Sequence, residues 1–120
     1  MLNDTPLVHI DLSPEYKQNL RTLSKRYRNI RSDIQELLEQ IQLGNFIGDR
    51  IAGLGEDYLV IKARVKNSNI QKGKSAGYRV IYQVESPTRV LLLTIYAKSD
   101  RDDISSSEIL MILASSSEND

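Results

Sequence analysis

Lys62, Arg64 and Lys66 stand at alternate positions in the run Val60-Ile61-Lys62-Ala63-Arg64-Val65-Lys66. A period of two puts these three cations on one face of a β-strand and Ile61, Ala63 and Val65 on the other. Like charges sharing a sheet face repel one another, so they are poor as structure alone. A solvated face, or lysine guarding an edge strand, would account for Lys62 or Lys66 singly. It accounts less well for Arg79, Tyr96 and Lys98 on the strands expected alongside, with almost no acid among them. Pairing those strands would gather six side chains into one patch. Guanidinium and ammonium groups suit a phosphodiester backbone, and a tyrosine suits a stacked base. Polyanion binding is the favoured reading of this patch, with a solvated face as its alternative.

Charge along the chain sharpens that reading. The 120 residues carry 16 Lys+Arg and 16 Asp+Glu, a formal net charge of zero. Residues 60–98 hold eight bases and the single acid Glu85, a net of +7, whereas residues 99–120 hold Arg101 against six acids. A basic segment attracts polyanions whatever the total over the chain. With no cysteine, disulfide scaffolds, thiolate zinc sites and cysteine nucleophiles are excluded. The longest apolar stretch, around Val90 to Ala97, is far short of the ~20 residues that span a bilayer. Met1-Leu2-Asn3-Asp4 shows no basic region leading into an apolar run, so a cytoplasmic location is expected.

Other motifs carry less. Gly73-Lys74-Ser75 resembles the end of a P-loop, but Ser68 stands where that loop needs glycine and the tripeptide leads into a strand. His9, the only histidine, lies in an expected first strand without a carboxylate, serine or second histidine to form a catalytic pair. Asp100, Asp102 and Asp103 lack calcium-loop spacing; capping of the last helix and solvation account for them. No ligand spacing suggests a metal.

The elements that must position the patch are readable from period and punctuation. Leu7 to Leu12 reads as a short strand, and Ser13-Pro14-Glu15 as a helix start. Tyr16, Leu20, Leu23 and Tyr27 mark one face of a first helix; Ile30, Ile34, Leu37, Leu38 and Ile41 mark a second, ending near Gly44. Strands follow from about Leu59, over Tyr78 to Glu85 and over Arg89 to Lys98, with strict alternation of Leu91, Leu93, Ile95 and Ala97 against Val90, Leu92, Thr94, Tyr96 and Lys98. Ile109 to Leu113 forms a short last helix, and 115–120 a frayed tail. The expectation is one α+β domain over 1–120. It has a small antiparallel sheet, made of a three-strand C-terminal meander plus the N-terminal strand. A helical hairpin packs on one face, and the other face stays exposed for the cations.

Four segments together carry a resemblance. Arg50-Ile51-Ala52-Gly53-Leu54-Gly55, Ile61-Lys62-Ala63-Arg64-Val65, Gly73 to Tyr82 with its Gly-Tyr-Arg-Val-Ile-Tyr core, and Leu92-Leu93-Thr94-Ile95-Tyr96-Ala97-Lys98-Ser99-Asp100 resemble the RelE-type toxins of the RelE/ParE superfamily. The likeness covers roughly residues 7–113, and Thr-Ile-Tyr-Ala-Lys is nearest to HigB-like members. It implies the toxin of a type II toxin–antitoxin system: an mRNA endoribonuclease (an mRNA interferase), metal-independent and without a cofactor. Its implied partners are mRNA, the ribosome with its 16S rRNA, and a neutralising antitoxin, with no membrane. By that resemblance Lys62, Arg64, Arg79, Tyr96 and Lys98 are the catalytic set, and Lys66, Lys72, Lys74 and Arg101 bind RNA. A ribose 2′-OH would attack the adjacent phosphate, with Arg79 and Arg64 on the phosphorane, Lys62 accepting the proton and Tyr96 orienting the base. No tyrosine follows Tyr96, and Ser99 stands where some members have arginine; Arg101 or Tyr96 would take those places. The alternatives are a ParE-like toxin that inhibits DNA gyrase by binding, and a nucleic-acid-binding module without chemistry.

Overall fold

The computed structural model describes residues 7–70 and 76–118. Lys72, Lys74 and the Gly73-Lys74-Ser75 tripeptide lie outside the described residues. The order is β1 (His9–Leu12), α1 (Pro14–Arg26), α2 (Ile30–Gln42), β2 (Asp49–Arg50), β3 (Val60–Val65), β4 (Tyr78–Ser86), β5 (Arg89–Ala97) and α3 (Ser106–Glu118). This is an α+β fold with the expected helical hairpin, meander and last helix. No helix among the described residues is long and apolar enough to cross a membrane.

The sheet corrects the expectation in two ways. Its five strands run β1-β5-β4-β3-β2, and β1 pairs with β5 in parallel, so the sheet is mixed rather than antiparallel. Antiparallel neighbours can be joined by a tight turn, but β1 and β5 are separated by two helices and three strands, so no turn dictates their sense. The second change is β2, two residues of the expected loop that pair with Ile61 and Lys62 at the opposite edge.

Both faces of the sheet are covered. Tyr16 and Leu23 of α1 and Ile30, Ile34, Leu37 and Ile41 of α2 bury the face formed by Ile61, Ala63, Val65, Tyr78, Val80 and Tyr82. On the other face Ile109, Ile112 and Leu113 of α3, with Ile104, pack on Val60, Ile81, Leu93 and Tyr96. The expected open face is therefore only partly open, and the cations line the part that α3 leaves uncovered. The last helix is also longer than the Ile109–Leu113 reading, with helical backbone through 115–118, where a frayed tail was expected.

Strict alternation along β5 fails at one residue. Ile81 faces Thr94 across the ladder, but the next residue, Tyr82, faces Leu92, so Leu93 is an extra residue on β5. Such a bulge reverses the facing of everything beyond it. Leu91 and Leu93 accordingly share their face with Tyr96, and Val90 and Leu92 share theirs with Ile95 and Ala97. Ser13 secures the bulge. Its buried hydroxyl accepts from Tyr16 N–H at 3.0 Å, capping α1, and donates to the Leu93 carbonyl at 2.7 Å. One side chain thus joins the start of α1 to the strand irregularity that aims Tyr96.

Candidate active site

The bulge and the register of three strands produce one transverse row. Arg64 of β3 is the direct partner of Arg79 on β4, and Arg79 is the partner of Tyr96 on β5. Lys62 lies two residues before Arg64 on the same face of β3, opposite Ile81. Lys98 follows the end of β5, where its backbone N–H donates to the Gly77 carbonyl at 2.8 Å. Lys62, Arg64, Arg79, Tyr96 and Lys98 are therefore brought together, at the end of the sheet where the meander strands finish or begin.

Gly77 makes the close approach possible. A Cβ at this position would overlap the Val65 carbonyl oxygen and lie 3.0 Å from the Asn67 nitrogen. The glycine of the Gly-Tyr-Arg motif is required by the proximity of β3, which lets Arg79 sit directly opposite Arg64.

Electrostatics differ sharply along the row. Arg79 is buried, only 5% exposed, and its guanidinium donates to the Tyr78 carbonyl at 3.2 Å. Desolvation lowers its pKa, and Arg64 adds to that; Tyr96 and Asp103 oppose it. It remains a cation, because arginine is not deprotonated in proteins. Burial raises the pKa of the Tyr96 phenol, with Asp103 pushing the same way against Arg79 and Arg101. The hydroxyl is buried and makes no hydrogen bond of ordinary geometry, although the Asp103 carboxylate is near. The phenol is thereby held protonated, with a hydroxyl able to donate a hydrogen bond.

Asp103 is the residue that sequence reasoning missed. Its carboxylate accepts from Lys62 Nζ at 3.2 Å and from Ile104 N–H at 2.8 Å. That backbone hydrogen bond and Lys62 hold its carboxyl below the usual range. The cap of α3 is instead Ser105, whose hydroxyl accepts from Glu108 N–H at 3.1 Å. None of the three aspartates caps that helix. Asp100, Asp102 and Asp103 pair with Arg26, Lys98 and Lys62 respectively. Local patterning cannot reveal such pairs, because their partners other than Lys98 lie 41 and 74 residues away.

Two expected RNA contacts sit differently from the row. Arg101 turns to a bidentate pair with Glu108, at 3.1 and 2.8 Å, and lies over the Tyr96 ring with its guanidinium carbon 5.3 Å from the centroid. Engaged in this way, it packs against Tyr96 at the rim of the row. Lys66 is exposed on the α2 side, lining a shallow groove with Arg64, Asp33 and Glu36. Contrary to the sequence reading, His9 has a carboxylate partner: it pairs with Asp11 at 2.8 Å beside Arg89, at the far end of β5 from Tyr96.

Comparison with known families matches the model described as "RelE toxin of RelE / RelB toxin-antitoxin system" over residues 47–119, more than half of the chain. The chain belongs to the RelE toxin family. The match spans β2 to α3 and so includes every member of the arginine–tyrosine row, together with Lys62, Lys98 and Asp103. Membership of this RelE family implies an antitoxin partner. No curated protein is found to match the chain.

Proposed function

We propose that this RelE-family toxin is an mRNA endoribonuclease that works on ribosome-bound message, blocks translation and is neutralised by its antitoxin. The observation that carries the reading is the Arg64–Arg79–Tyr96 row, two guanidinium groups and a protonated phenol aligned across three strands. A ribose 2′-OH releases its proton to solvent water and attacks the adjacent phosphorus in line; the P–O5′ bond breaks and the 5′-oxygen takes up a proton, giving a 2′,3′-cyclic phosphate and a 5′-OH. Arg79 and Arg64 stabilise the charge that develops on the phosphorane oxygens, the kind of contribution that is usually largest in such catalysis. Lys62, already ion-paired with Asp103, serves better as a cation on the phosphate than as an acceptor of the 2′-OH proton. Tyr96 protonates the leaving oxygen or orients the base. Lys98 and Lys66 hold the backbone, as would Lys72 and Lys74.

Induction of the toxin in growing cells, followed by mapping of RNA ends, tests this. Breaks within translated messages bearing 2′,3′-cyclic phosphate and 5′-OH ends are expected; intact messages in arrested cells would refute it. Arrest with intact messages and inhibited DNA gyrase would mark the ParE-like reading.

Tyr96→Phe separates chemistry from packing. The buried hydroxyl makes no ordinary hydrogen bond, so its loss leaves thermal stability unchanged or slightly raised. A proton-donor role predicts a cleavage rate about 10²-fold lower. Wild-type cleavage by the variant would restrict Tyr96 to stacking.

A further inference from the structure

The site's cations are met by acids of one segment, Asp100 to Glu108. Lys62 is bound by Asp103 at 3.2 Å, and Lys98 by the Asp102 carbonyl at 2.7 Å and its carboxylate at 3.8 Å. At the rim Arg26 is bound by Asp100, and Arg101 by Glu108. Arg64, the exposed cation of the row, has no ion pair among the described residues. The segment is held in place around Asp103. The Asp103 backbone carbonyl accepts from Arg101 Nε at 3.0 Å, and α3 begins immediately behind it on its Ser105 cap.

We propose that Asp103 and Asp102 mark two phosphate subsites, at Lys62 and Lys98, and cover them until an RNA backbone displaces the carboxylates. The inference rests on the ribonuclease reading for the identity of the ligand. A carboxylate and a phosphodiester present the same kind of anionic oxygen to an ammonium group, and the two cannot share it at contact distance without repulsion. The covering side chains are mainly in water, Asp102 at 97% and Asp103 at 65% exposure. Pairs of that kind are weak. They shield the cations from stray polyanions and yield to a strand that engages both at once. Asp103 also faces Tyr96 and Arg79, so its displacement opens the arginine–tyrosine row together with Lys62.

The test is RNA binding rather than cleavage. A labelled 2′-O-methyl oligoribonucleotide, which lacks the attacking hydroxyl, is titrated by fluorescence anisotropy at several salt concentrations. Asp102→Asn/Asp103→Asn is compared with wild type and with Glu39→Gln/Glu85→Gln, which makes the same charge change on exposed residues away from the row. Asparagine retains an oxygen for the Ile104 N–H, so the turn is preserved, and a thermal melt verifies the fold. The covered-subsite variant should bind about tenfold tighter. Its salt dependence should stay close to that of the wild type, because the same two cations meet phosphates in both complexes once the carboxylates are displaced. The distant pair of substitutions should shift affinity by no more than about twofold. Unchanged or weaker binding by the Asp102/Asp103 variant, an equal gain in the distant control, or no binding by any of the proteins would overturn the proposal. RNA cleavage without the tightening overturns the cover alone. Tightening in a protein that leaves cellular messages intact overturns the ribonuclease reading alone.

Discussion

Arg79→Met should abolish toxicity while leaving the protein about as stable as before. Arg79 occupies the centre of the row, with Arg64 as its partner on one side and Tyr96 on the other. It is almost fully buried, and both desolvation and Arg64 weigh against its charge. A buried cation placed directly opposite another is a structural liability: like charges at a cross-strand pair destabilise a sheet. Methionine keeps most of the volume, removes the charge and relieves Arg64, which offsets the loss of the hydrogen bond to the Tyr78 carbonyl, so the melting temperature should stay close to that of the wild type. Function moves the other way. A preorganised donor aimed at a developing oxyanion contributes about 10²- to 10³-fold in rate, and cleavage should fall by at least that factor. Arg79→Lys retains a charge but loses the planar fork, so it should restore only part of the rate. Rates on an RNA substrate and thermal melts of the purified variants provide both readings. Wild-type cleavage by Arg79→Met would remove Arg79 from the chemistry. A collapse in its melting temperature would make Arg79 structural.

The opposition of charge and burial at Arg79 also shows how far the site was legible from sequence. Lys62 and Arg64 were readable because a period of two survives along β3, and Gly-Tyr-Arg placed Arg79 on the next strand. Tyr96 was assigned to the basic face, but by an alternation that the strand does not keep. Counted strictly along β5, Tyr96 would share a face with Val90 and Leu92, under the helical hairpin. It reaches Arg79 only because Leu93 is an extra residue. A bulge leaves no mark in a run such as Leu91-Leu92-Leu93, where every residue is apolar. The partner that stabilises it, the Ser13 hydroxyl on the Leu93 carbonyl, lies 80 residues away.

Long-range pairing hid the remaining features for the same reason. The sense of β1 beside β5 is not set by any turn, so a hairpin-based reading defaulted to antiparallel. The aspartates after β5 looked like capping and solvation because local sequence offers only those roles. Their pairing with Lys62 and Arg26 requires knowledge of where α1 ends and how β3 is registered. Net charge misled in a related way. The +7 segment and the acidic segment that follows it are one electrostatic unit, with the acids of 100–108 folded onto the cations they neutralise.

Gly77→Ala should be among the most damaging single-methyl changes available in this chain. The added Cβ would overlap the Val65 carbonyl oxygen and crowd the Asn67 nitrogen, both of them backbone atoms rather than yielding side-chain ends. Gly77 cannot retreat toward β5, because its own carbonyl accepts from the Lys98 N–H at 2.8 Å. The strain must therefore separate β3 from β4 where Val65, Tyr78 and Ala97 are packed and almost fully buried. Overpacking of this kind costs about 3 kcal/mol or more, which for a domain of this size lowers the melting temperature by about 10 °C or more. Gly44→Ala is the matched control. Its backbone has φ +89°, which disfavours alanine, but a Cβ there meets nothing within 4 Å, so its cost should stay near 1 kcal/mol. Cleavage should track the site rather than the melt. Held well below its melting temperature, Gly77→Ala should still lose activity, because parting β3 from β4 displaces Arg64 from Arg79, whereas Gly44→Ala should cleave like wild type. Equal melting temperatures for the two variants would show that β3 can move away from Gly77 at little cost, and the close approach would then not be what the motif glycine provides.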